Sequence, residues 1–118
     1  MSSPTARVGQ WGETYARYYL EEQGLQFITA NWRCKVGEID LIMQDGSTRV
    51  LVEVRLRRPT SFGEGGDTVG QQKQRKLRRA AQYYQQCEDY WGDIRFDVVS
   101  IMHDPEQPPQ VEHITDAF

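Results

Sequence analysis

GEIDLIMQDGSTRVLVEVRLRR, residues Gly37 to Arg58, holds two alternating apolar segments joined at Asp45-Gly46. Asp-Gly between two such segments is a strong β-hairpin signal. Side chains alternate along a strand, so Ile39, Leu41 and Met43 are expected on one face and Glu38, Asp40 and Ile42 on the other. In the return strand Val50, Val52, Val54 and Leu56 share a face, and Leu51, Glu53, Arg55 and Arg57 share the opposite one. A two-residue turn of Asp45 and Gly46 would pair Gln44 with Ser47, Asp40 with Leu51 and Glu38 with Glu53. Asp40 and Glu53 are then diagonal neighbours on one face, roughly 7–8 Å apart between backbones. A three-residue turn would part them.

Two carboxylates converging at that separation repel unless a cation lies between them, and magnesium is content with one or two carboxylates and several waters. Arg55 follows on the same face, so Asp40 with Glu53-Val-Arg55 reads as a metal site with a positive neighbour, suited to a phosphodiester and an attacking water. The plainer alternative is a solvent-facing strand pair, which also alternates charge with apolar residues. Glu38 directly opposite Glu53 argues against it, because like charges across a ladder destabilise.

Upstream, Val8 to Gln23 has helical periodicity, with Val8, Gly12, Tyr15, Ala16, Tyr19 and Leu20 on one arc and Gly24 as the stop. Glu13 falls at the arc's edge, able to reach a cleft or to pair with Arg17 four residues on. Leu25 to Arg33 reads as a strand bent near Ala30-Asn31. Downstream, Arg57 to Gly70 is glycine-rich and reads as a loop that can close over a substrate or simply connect. A long helix is expected over Thr68 to Tyr90, with Val69, Leu77, Ala80, Ala81, Tyr84 and Cys87 as its buried stripe. Lys73 falls inside that stripe, so its ammonium either snorkels to solvent or serves a charged site on the sheet. Ile94 to Met102 and Val111 to Ile114 are further strands around a proline-rich turn. The order is helix, three strands, helix, two strands: an α/β sheet covered by helices, in a single domain over residues 1–118.

Composition narrows the function. No apolar run is long enough to span a bilayer and no leader is visible, so the reading is a soluble, cytoplasmic chain with no membrane partner. Cys34 and Cys87 belong to no CxxC or Cys/His cluster and read as reduced core or near-core thiols. The net charge is only -3, yet between Arg49 and Arg79 nine basic residues stand against three acidic ones. A basic face on an acidic protein is the footprint of a polyanion, or else one solvated helix face. No serine, cysteine or histidine arrangement offers nucleophilic catalysis, and His103 and His113 read as structural.

Several pieces fit one known pattern: Gly12-Glu13 with Ala16, Gly37-Glu-Ile-Asp-Leu-Ile42, Val52-Glu-Val-Arg55 with Arg57, Lys73 and Leu77 with Ala81, Arg95-Phe-Asp-Val-Val99, and Asp116-Ala-Phe118. Over nearly its whole length the chain resembles the YraN-like family of small bacterial proteins. That family is grouped by similarity with the PD-(D/E)XK nucleases, especially archaeal Holliday-junction resolvases.

The resemblance implies a restriction-endonuclease-like mixed sheet and a magnesium- or manganese-dependent endonuclease on branched or structured DNA. The alternative is a nucleic-acid-binding module of the same fold with weak or no catalysis. Junction resolvases act as dimers, so a homodimer is a further expectation. Carried over, the catalytic set is Glu13, Asp40, Glu53, Arg55 and Lys73, with Asp40, Glu53 and the Val54 carbonyl on the metal. Arg57, Arg58, Lys73 and Lys76 would touch nucleic acid. Arg55 stands where those nucleases usually have lysine; guanidinium keeps its proton, so Arg55 can hold a phosphate but cannot serve as general base. A third reading, an adaptor docking through Tyr83, Tyr90 and Trp91, competes with ordinary core packing of aromatics.

Overall fold

A computed structural model describes residues 4–58 and 69–118, with side chains described from residue 9 onward in the first helix. The elements in order are α1 (Pro4–Glu22), β1 (Gln26–Cys34), β2 (Gly37–Asp45), β3 (Thr48–Arg57), α2 (Gln71–Cys87), β4 (Asp93–Met102) and β5 (Gln110–Ile114). They build one mixed sheet in the order β1-β2-β3-β4-β5, antiparallel except for β3 beside β4. A parallel neighbour needs a crossover connection, and the segment carrying α2 makes it. Helix, three strands, helix, two strands is the layout expected from the pattern.

Each face of the sheet carries one helix. On one, Ala16 and Leu20 of α1 pack with Leu41, Met43, Val50, Val52, Val99 and Ile101. On the other, Ala80, Ala81 and Tyr84 of α2 pack with Ile42 and Leu51, while Leu77 meets Val98. β3 is therefore covered on both sides, which is why Val50, Leu51 and Val52 run together without a polar break. α1 stops as expected: Gly24 has φ 99°, its N–H donates to Glu21 O and the Leu25 N–H to Leu20 O, with Leu20 and Leu25 both buried. Gly12 lets α1 lie close on β3, since a Cβ there would come within 2.9 Å of a Leu56 methyl.

Several local expectations are corrected. The hairpin turn is Gly46-Ser47, with Asp45 paired to Thr48, so Leu51 faces Ile42 instead of Asp40, and Glu38 faces Arg33 of β1 instead of Glu53. A slip of two residues preserves side-chain direction, so the face assignment near the turn survives. Arg17 pairs with Glu21 at 3.5 Å, leaving Glu13 for other work. α2 begins at Gln71 and ends at Cys87, where Asp89 turns left-handed at φ 50°; Cys87 is exposed, whereas Cys34 is half-buried, and both are free thiols. Val69 is buried but precedes the helix. β3 extends to Arg57 because β4 pairs it that far. Residues 59–68, the greater part of the segment read as a closing or merely connecting loop, lie outside the described residues. No helix among the described residues is long and apolar enough to cross a membrane.

The largest departure from simple alternation lies at the far end of the hairpin. Leu41 packs with α1, but Ile39, two residues back and nominally on the same face, packs with Ala80 and Tyr84 of α2. β1 does the same: Ala30 belongs to the α1 side and Trp32 to the α2 side. Both strands exchange faces across one step, Asn31 on β1 and Asp40 on β2. Asn31 sits at φ 54°, a left-handed residue inside a strand, and such a residue breaks the two-residue period.

Candidate active site

The exchange of faces builds the site. β2 and β3 pair from Asp45↔Thr48 to Leu41↔Val52 and no further. At the next residue the Asp40 carboxylate accepts the backbone N–H of Val54 at 2.9 Å, satisfying a donor where the strands part. Glu53 is the β3 residue at that same level, and Asn31 is its counterpart on β1. α1 lies on the face opposite Leu51 and α2. Glu13 still reaches Asp40, because beyond the crossing point β2 has turned through the sheet. Carboxylate oxygens of Glu13, Glu38 and Asp40 lie within 4.8 Å of one another.

Glu53 completes the acidic group on the α2 side. Its side chain is 8% exposed and receives the Lys73 ammonium at 2.6 Å from the first turn of α2. Of the two directions open to Lys73 from the apolar stripe, it takes the one toward a charged group on the sheet. Arg33 approaches Glu38 at 3.6 Å from the edge strand. The cleft between the β1–β2 turn and α2 measures about 640 Å³, and Glu38, Asp40, Glu53, Lys73 and Lys76 line it with Gly37.

Charge is left uncompensated at the centre. Burial, and then the neighbouring Glu53, push the Asp40 carboxyl up to about 7 against the relief given by the Val54 N–H. Burial also raises Glu13, opposed by a hydrogen bond from Asn31 and reinforced by Glu38 and Glu53. Among the described residues Glu13, Glu38, Asp40 and Glu53 gather four carboxylates, with Lys73 on Glu53 and Arg33 near Glu38. This donor set fits a small divalent cation such as magnesium or manganese, and it disfavours soft metals, which prefer thiolate or imidazole.

The model of the uncharacterised protein family UPF0102 matches residues 12–101. The chain belongs to UPF0102. A UPF0102 protein of Pseudomonas putida (strain GB-1) is 44% identical across 99% of this chain and 96% of the relative. One from Rhodococcus opacus (strain B4) is 42% identical across 94% of this chain and 95% of its own length. A third, from Herpetosiphon aurantiacus, is 40% identical across 96% and 94%.

In this UPF0102 chain, of the residues singled out from sequence, Glu13, Asp40, Glu53 and Lys73 come together, and Lys76 joins Lys73 on the cleft wall. Val54 meets Asp40 through its N–H while its side chain packs toward α1. Arg55 follows Glu53 two residues on, half-buried. Arg57 and Arg58 lie at the end of β3, outside the cleft lining; the Arg57 carbonyl accepts the His103 N–H at 2.8 Å. Of the adaptor aromatics, Tyr90 is occupied by the Arg49 guanidinium 4.1 Å from its ring centre, and Trp91 stands exposed.

Three UPF0102 residues were missed. Glu38 was placed on the correct strand but given the wrong partner, so its share in the cluster was hidden. Asn31 and Arg33 lay in a strand read only for its bend. An asparagine at a strand break is a recognisable sign of left-handed backbone, but nothing in the sequence says what its side chain holds.

Proposed function

We propose that this chain is a metal-dependent endonuclease that hydrolyses phosphodiesters in branched or structured DNA. The observation that carries the reading is the convergence of Glu13, Glu38 and Asp40 within 4.8 Å, with Glu38, Asp40 and a buried Glu53 held by Lys73 lining an open cleft. Asp40 and Glu53, with the Val54 carbonyl, would hold the divalent ion, and Glu13 and Glu38 would orient water around it. When bound, the ion supplies Lewis acidity toward a phosphoryl oxygen and makes nearby water more acidic.

The remaining work falls to the side chains. With Glu53 engaged by a cation, the Lys73 ammonium would be free to leave its 2.6 Å ion pair and donate to a non-bridging phosphate oxygen. Arg55 donates to the same group and steadies charge building on it, but its guanidinium cannot take a proton. A carboxylate of the cluster accepts the proton from the attacking water. The water oxygen bonds to phosphorus as the bond to the leaving sugar oxygen breaks. Lys76, with Arg57 and Arg58 further along, would contact flanking phosphates.

The test is cleavage of branched and linear duplex DNA by the purified chain with magnesium or manganese. Branched substrate should be cut, with at least a hundredfold loss for Asp40→Asn or Glu53→Gln; undiminished cutting by both variants refutes the reading. A binding module without catalysis is the second reading, favoured by Arg55 in the usual lysine position. Salt-sensitive DNA binding that survives loss of both acids, with no cleavage, selects it.

A further inference from the structure

We propose that Asn31, on the edge strand β1, is a positioning residue that both turns the hairpin through the sheet and holds Glu13 toward the cation site. The inference rests on reading the acidic cluster as that site. Two independent features of one residue carry it. Its backbone is left-handed, φ 54°, at the step where Ala30 and Trp32 on β1, and Leu41 and Ile39 on β2, change sides. Its side chain lines the same cavity as Glu13 and lowers that carboxyl as a hydrogen-bonding neighbour.

Each feature would be unremarkable alone. Asparagine is among the few non-glycine residues that tolerate this conformation, and an exposed edge-strand amide needs no protein partner. Their combination fits a requirement of the site. α1 lies over the face opposite Leu51, and Glu13 meets Asp40 just beyond the last β2–β3 pair, beside Ala30 and Asn31 of β1. A carboxylate entering there meets Glu38 and Asp40, which repel it. Left to itself it would swing away toward solvent past Gln10 and Thr14, along the cavity of about 290 Å³ that Asn31 also lines. The Asn31 carboxamide is the neutral donor that opposes this swing, and being neutral it does not compete with a cation for the oxygens. Outer partners of this kind typically set affinity by ten- to hundredfold.

Glycine at position 31 keeps the backbone conformation and deletes the carboxamide. Mn²⁺ binding to the purified chain, measured by calorimetry, should weaken about tenfold in Asn31→Gly. Its melting temperature should stay close to that of the wild type. Glu13→Gln should weaken binding comparably, and the double variant Glu13→Gln/Asn31→Gly should be no worse than Glu13→Gln, because the two act in series. Asn31→His, which tolerates the conformation and offers a ring N–H, should recover part of the loss. If Asn31→Gly fails to fold, Asn31→Ala serves instead, with a lower melting temperature and the same loss of affinity. Wild-type Mn²⁺ binding with unchanged affinity in the glycine or alanine variant overturns the inference alone. Additive losses in the double variant also overturn it. A wild-type chain that takes up no Mn²⁺ overturns the cation-site reading and the inference with it.

Discussion

Two strand aspartates, Asp40 on β2 and Asp97 on β4, flank β3 and are treated in opposite ways. Asp97 is 0% exposed. Arg95 donates to both of its oxygens, at 2.8 and 2.9 Å, His113 lies 2.7 Å away, and the Asp116 N–H adds a fourth contact at 3.1 Å. Burial alone would raise this carboxyl, but the His113 and Arg95 contacts outweigh it and leave it below the usual range. Asp40 receives one backbone N–H and faces Glu13, Glu38 and Glu53. One aspartate is supplied with everything a buried anion needs; the other is supplied with its opposite. The first ties β4, β5 and the chain beyond them into one corner, with Arg95 reaching on to Asp45 at 2.9 Å. The second gathers acids around it where β2 leaves β3, the feature on which the proposed cation site rests.

The contrast can be broken most forcefully at Asp97. Asp97→Ala strands Arg95 without its bidentate partner and should cost about 3–5 kcal/mol of unfolding free energy, read by urea denaturation. A cost under about 1 kcal/mol would mean that the corner is not held by charge.

Asp40→Asn should act with the other sign. With its carboxyl raised from 3.8 to about 7, the folded chain binds more protons than the unfolded one across that window. Its contribution is therefore full below pH 4 and is lost as pH rises through 7. Metal-free wild type should lose roughly 2–4 kcal/mol over that range, and Asp40→Asn only the smaller part that the raised Glu13 carboxyl contributes. Asp97, lowered, does the reverse: its contribution is present above the ordinary carboxyl range and disappears as pH falls through its folded value. Mn²⁺ at a hundred times its dissociation constant should return about 2.7 kcal/mol to the wild type and nothing to Asp40→Asn. A wild type whose metal-free stability is flat from pH 4 to 7 would remove the contrast.

Lys73→Ala sharpens the comparison further. It leaves Glu53 buried beside Asp40 with no ammonium, and should cost about 1–2 kcal/mol without metal, the Lys73 end being 56% exposed. Mn²⁺ should erase most of that cost, whereas a purely packing role for Lys73 predicts no rescue. The smallest effect is expected at Asp45→Asn, where the Arg95 partner is 44% exposed: about 0.5 kcal/mol by thermal melting.

Near the turn, alternation alone put Asp40 and Glu53 on one face, and it survived a register error because the slip was of two residues. The same rule misled at the other end of the strand, where Ile39 was expected beside Leu41. Lys73 was legible because a helix period is rigid, so a lysine inside an apolar stripe has few places to go. Glu38 was not legible, since its partner depends on which strand lies next to it, and the neighbouring residue turned out to be Arg33. His113 reads as structural and Arg95-Phe-Asp97 belongs to the family pattern, but that the three meet was not legible, because it requires β5 to fold back on β4.

Residue types and spacing by themselves determined the order of elements, the family resemblance and the placing of Asp40, Glu53 and Lys73, because these follow from periods of two and 3.6 residues and from local turn chemistry. Only the tertiary structure decided that Glu13, from a helix on the far face, meets Asp40. That contact forms where two strands pass through the plane of the sheet, at the step where Asn31 is left-handed. A periodic reading of sequence assumes this never happens.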